Sequence, residues 1–249
     1  MNFERIFNDF CNVLDKHKDQ LYLFQFYPEL LNEVKKTLES SENVYSYAFS
    51  TIRIVVPKEV RPNHSIPRNL GNVEIILSIK DEIEIKKAKE KLIEDPINKL
   101  EKFNIILNCE NKHYTSSWHL DRHTLKKDEQ PPSNLHPIYH LTFGGYHMEN
   151  LQGDDSDEFG RALILRTPRI MHPPMELLLG IDFIFNHFIP KEALDLLSDK
   201  TYLSIINELK KYFWLPFSLA IAKNYCERIS INNEPCTFED SFVSSVLSC

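Results

Sequence analysis

The hydrophobic period of this 249-residue chain changes twice, and that limits the fold more than any motif does. At the start, Phe3, Ile6, Phe7, Phe10, Val13 and Leu14 recur every three or four residues, the spacing that gathers side chains on one helical face. Pro28 suits the first turn of a second helix, over residues 28–38, because its missing N–H is not needed there. From residue 44 the period drops towards two. Residues 44–56 are rich in aromatic and β-branched side chains and predict one strand. Val73, Ile75, Leu77 and Ile79 alternate and give another strand one apolar face. Further strands are predicted over residues 104–123, with a break near 110–112, over 138–143 and over 162–166. A helix is expected between them, over residues 82–103: Asp81 can cap it, Lys and Glu alternate along it, and Pro96 interrupts it. Helical spacing then returns. Residues 175–188 are apolar almost all round, as in a central buried helix. A short helix around 194–197 and two more, over 201–213 and 216–225, complete the chain, the last two split at Pro216.

Helices (1–40), then strands (44–166) around one inserted helix, then helices (175–225) predict a single α+β domain. Its centre is one mostly antiparallel sheet of about five strands, with both helical ends packed on it. No linker or internal repeat divides the chain. Residues 57–71 and 124–137 read as loops, the acidic stretch 149–160 as a mobile segment, and 167–174 as extended.

Composition removes several classes of function. At 42% hydrophobic the chain can build a sizeable core, yet no apolar run nears the roughly 20 residues that cross a bilayer. The first residues lack the order of a signal peptide, so a soluble cytoplasmic protein is expected. Five scattered cysteines with no CxxC pair read as reduced thiols. A net charge of −7 argues against general nucleic-acid binding. With only six glycines, neither the dinucleotide nor the P-loop phosphate motif occurs.

Six of the ten histidines lie between His113 and His147, and two segments stand out. In Trp118-His119-Leu120-Asp121-Arg122-His123, an extended backbone turns His119, Asp121 and His123 to one face. In Ile138-Tyr139-His140-Leu141-Thr142-Phe143, His140 and Thr142 oppose Tyr139, Leu141 and Phe143, which are expected to face the core. Paired with polar faces aligned, the two strands would put His119, Asp121, His123 and His140 on one surface. Such a set suits a divalent metal, or a histidine general base oriented by Asp121. Arg122, Arg166 and Arg169 are the candidates for holding a phosphate or carboxylate of the substrate. No recognised metal signature is present, so no cofactor is expected unless a metal assists that chemistry. Asp182, inside an apolar helix, needs a partner. Phe213, Trp214 and Phe217 around Pro216 are candidates for an exposed aromatic patch.

Three blocks carry a resemblance. They are Trp118-His119-Leu120-Asp121, the run His136-Pro137-Ile138-Tyr139-His140-Leu141-Thr142-Phe143-Gly144-Gly145, and the stretch from Arg166-Thr167-Pro168-Arg169-Ile170 through Pro173-Pro174-Met175 to Ile181-Asp182-Phe183-Ile184-Phe185-Asn186-His187-Phe188. Together they resemble an uncharacterised family of bacterial proteins of about this size, over residues 118–188. The resemblance implies a prokaryotic cytoplasmic setting among accessory genes of mobile elements and antiphage systems. It assigns no reaction and no site residue.

Two functions follow. The first is an accessory subunit of a multi-component antiphage or toxin-type system, binding a protein partner. The alternative is a histidine-dependent hydrolase or nuclease, with or without a metal. Convergence of His119, Asp121, His123 and His140 separates them.

Overall fold

The apolar face expected at the start of the chain forms α1 (Phe3–Lys16), whose Asn2 cap accepts the N–H of Arg5 at 3.1 Å. The structure, a computed structural model, describes residues 1–60, 68–80, 82–87, 95–100, 102–110, 114–122, 138–144, 148, 158–159, 162–163 and 170–225. Two short helices follow α1 where one was expected: α2 (Lys18–Leu23) and α3 (Leu30–Lys36). His17, off helical geometry, ends α1 and starts α2.

The strands are β1 (Glu39–Ser40), β2 (Val44–Ala48), β3 (Thr51–Val56), β4 (Val73–Lys80), β5 (Glu82–Lys86), β6 (Ile97–Lys99), β7 (Lys102–Cys109), β8 (Thr115–Arg122), β9 (Tyr139–Phe143), β10 (Glu158–Phe159), β11 (Ala162–Leu163) and β12 (Ile170–Met171). Among the described residues they make two main antiparallel sheets, not one of about five strands. A four-stranded sheet runs β1-β2-β5-β6, a six-stranded sheet runs β12-β9-β8-β7-β4-β3, and β10-β11 form a ribbon. The α+β class holds; the sheet count is corrected.

One bent hairpin explains the second sheet. Residues 44–56 are not a single strand: β2 pairs with β5 in the smaller sheet, and beyond residues 49–50 β3 pairs with β4 in the larger. The predicted helix over 82–103 is absent at its described residues. Glu82–Lys86 is a strand because Ile83 and Ile85 lie two apart and are fully buried opposite Tyr47 and Tyr45. Glu82, Glu84 and Lys86, part of the Lys and Glu alternation that suggested a helix, are the less buried side of this period-two pattern. Residues 88–94, the rest of that segment's middle, lie outside the described residues. So do most of the predicted mobile stretch 149–160 and part of the 162–166 strand, of which β10 and β11 are seen.

Helices cover one face of each sheet. Phe3 of α1 stacks on Tyr47 of the smaller sheet at 5.7 Å between ring centres. α4 (Leu177–Phe188) buries nearly its whole length, as its composition predicts, and Gly180 lies against Phe103 of β7 and Leu77 of β4. α5 (Lys200–Tyr225) is continuous through Pro216 and not split there. Proline in a helix interior costs about 3 kcal/mol, but Phe213 and Phe217 are buried on either side and hold the turn in place. One contiguous core joins both sheets and the helices. Among the described residues no helix is long and apolar enough to cross a membrane.

At Gly180 there is no room for a side chain, since a Cβ there would collide with the Phe103 ring. Gly180→Ala should therefore lower stability by about 1–3 kcal/mol from overpacking, against a helix-propensity gain of about 1 kcal/mol. A net loss in a thermal melt checks this.

Candidate functional site

β8 and β9 pair in the register that aligns their polar faces. Asp121 lies opposite His140, and His119 opposite Thr142. His119 Nε2 is 3.1 Å from Asp121 Oδ2, and His140 Nε2 is 3.4 Å from the same oxygen. His140 is 1% exposed, whereas the side chains of His119 and Asp121 are 22% and 29% exposed. Two half-open groups thus rest on a buried one. Burial pushes the Asp121 carboxyl up, but the hydrogen bonds from His119 and His140 and the charge of their rings outweigh it, leaving the acid below the usual carboxylate range.

The shared oxygen constrains the chemistry. A carboxylate only accepts, so both imidazoles must carry their hydrogen on Nε2 to bond it. In the neutral form, Nδ1 of His119 is then the basic nitrogen. Thr142, buried at 3%, has a hydroxyl without a hydrogen-bond partner among the described residues. An unsatisfied buried hydroxyl costs about 1–3 kcal/mol. Beside it on the same face, Ser117 donates its N–H to the sulfur of buried Met148 at 3.3 Å.

The other proposed residues divide. His123, Arg166 and Arg169 lie outside the described residues. Arg122 points to the opposite face of the sheet from His119, away from the group it was expected to serve. Its Nε reaches Asp95 Oδ2 and the Tyr139 hydroxyl, each at 3.0 Å, and its Nη1 donates to Asn98 O at 3.2 Å. Tyr139 donates to Asp95 Oδ1 at 2.8 Å. Arg122 thus ties the two sheets together, from β8 to the segment at β6. Among the described residues no group of three or more His, Cys, Asp or Glu side chains is arranged to hold a metal ion.

Asp182 has structural partners: Tyr202 donates to it at 2.9 Å, Asn186 at 2.8 Å, and Lys210 lies 3.3 Å away. The expected aromatic patch around Pro216 is not exposed. Phe213 and Phe217 are buried, and Trp214 donates to Pro174 O at 2.9 Å. On the sheet face away from His140, Tyr139 is buried as expected, but Phe143 is exposed and packs edge-on to Trp118, because β9 runs near the sheet edge.

An apolar surface stands instead where nothing in the sequence was assigned to function. Tyr22, Leu23, Tyr27 and Leu30 are all exposed at the turn from α2 to α3, Leu23 by 68%. Phe24 and Phe26 between them are buried. The run Tyr22-Leu23-Phe24-Gln25-Phe26-Tyr27 is too apolar for a loop, and that was the available signal. A separate groove of about 560 Å³ sits at the hairpin bend, lined by Ala48, Phe49, Ser50, Ile79, Glu82 and Lys99, away from the histidines. No protein-family profile matches the chain, and no curated protein or solved structure is significantly similar to it.

Proposed function

We propose that the chain is a histidine-dependent hydrolase in which His119 is the general base and Asp121 orients it. The observation that carries the reading is the meeting of two imidazoles on one carboxylate oxygen, with the outer ring and the acid open to solvent. In this scheme Nδ1 of His119 takes the proton of an attacking water, and Asp121 stabilises the resulting imidazolium. His140 is a positioning residue that holds Asp121 from behind.

Two chromogenic probes test this: bis(p-nitrophenyl) phosphate and p-nitrophenyl acetate. Hydrolysis of one of them by the wild type is expected, with His119→Ala and Asp121→Asn each slower by about 100-fold. Equal rates for all three proteins would remove the enzyme reading.

A second reading, the accessory subunit of a prokaryotic, cytoplasmic multi-component system, is favoured by the apolar surface at residues 22–30 and by the resemblance over residues 118–188. Co-expression with the products of neighbouring genes tests it, a co-eluting complex being the expected result.

A further inference from the structure

The turn between α2 and α3 is built to present its apolar side chains. Tyr22 bonds Glu29 through its hydroxyl, and its ring lies 5.5 Å from that of Tyr27. Gln25 holds a left-handed backbone with φ of 51°, uncommon for a residue other than glycine. The carbonyl of Phe24 accepts from Val55 N of β3 at 2.7 Å, fixing the turn to the edge of the larger sheet. Buried Phe24 and Phe26 anchor it from below. Tyr22, Leu23, Tyr27 and Leu30 are thus held outward at little further entropic cost on binding.

The surrounding charge selects the occupant. Asp15, Asp19 and Glu29 are exposed and near enough to Tyr22 for their charge to act on its hydroxyl. Lys18 stands among them, 3.6 Å from Asp15, while Lys16 is turned away to Asp199 at 2.6 Å. The rim is therefore acidic. A second copy would bring like charges together on a chain already at −7. An anionic membrane surface would be repelled for the same reason.

We infer that this turn docks a protein segment of apolar side chains flanked by lysine or arginine. The inference rests on the accessory-subunit reading and adds the partner's chemistry.

The probe is a synthetic helical peptide of leucine and lysine, with a leucine–glutamate peptide as its counterpart. With the full chain, the lysine peptide should shift the amide resonances of residues 22–30 and bind less tightly as salt rises. Leu23→Ser/Leu30→Ser, both exposed and so compatible with folding, should weaken binding about tenfold or more. Asp15→Asn/Asp19→Asn should weaken it and flatten its salt dependence. Binding that ignores the leucine variant, or equal binding of the glutamate peptide, would overturn the inference. So would a sedimentation dimer that the leucine variant abolishes, which would make a second copy the occupant. A complex with a neighbouring gene product that survives the leucine variant would keep the accessory reading and overturn this surface.

Discussion

Asp95→Ala is expected to destabilise the protein by about 3–5 kcal/mol, the usual cost of removing one partner from a buried ion pair. The side chains of Arg122 and Asp95 are only 13% and 11% exposed, and their contact is 3.0 Å. Without Asp95, Arg122 would keep Asn98 O and the Tyr139 hydroxyl but lose its counter-charge. The Tyr139 hydroxyl, on a fully buried side chain, would lose the carboxylate that accepts from it. In a chain of this size each kcal/mol lowers the melting temperature by roughly 2–4 °C, so a drop on the order of 10 °C is expected. Denaturant unfolding supplies the free energy. A loss below about 1 kcal/mol, the worth of a surface pair, would show that the network is not clamping the sheets.

The second large effect lies at Glu176, the cap of α4. Its carboxylate accepts from Leu178 N and Leu179 N, each at 2.9 Å, and from the Tyr47 hydroxyl at 2.9 Å. Glu176→Ala should cost about 3 kcal/mol: roughly 1 for the lost cap and about 1–3 for the stranded Tyr47 hydroxyl. Burial raises the Glu176 carboxyl from its ordinary 4.5 to about 7, while the two amides and Tyr47 pull the other way. The folded chain therefore keeps this proton to higher pH than the unfolded chain. The group's contribution is complete below the unfolded value and falls as pH climbs to about 7. At about 1.4 kcal/mol per pH unit, roughly 3 kcal/mol is lost across that window. Glu176→Gln should flatten this slope in denaturant titrations run from acid to neutral pH. An unchanged slope would assign it to other groups.

What could be read from the sequence was whatever a local period determines. Phe3 to Leu14 gave α1, and Val73 to Ile79 gave the apolar face of β4, because each side chain's burial follows from its neighbours' spacing. The alternation in residues 118–123 and 138–143 located His119, Asp121 and His140 correctly relative to one another, since antiparallel pairing turns like faces together. The failures needed knowledge of distant partners. Glu82–Lys86 carries both a helix-like charge pattern and a strand-like isoleucine pattern, and only pairing with β2 decides between them. Pro216 breaks an isolated helix but not one whose flanking phenylalanines are locked in a core. Arg122 shares its strand with Asp121, yet one residue's step along the backbone sends it to the other face, towards an acid 27 positions earlier.

The bent hairpin gives the two sheets a common skeleton. From β2 to β3 the peptide chain passes straight from one sheet into the other, with residues 49–50 as the joint. Layers held only by side chains can slide or separate at the cost of their contacts. Here a tilt of the smaller sheet turns the backbone at that joint, and what bends it is felt along β3 and, through its neighbours β4 and β7, at β8.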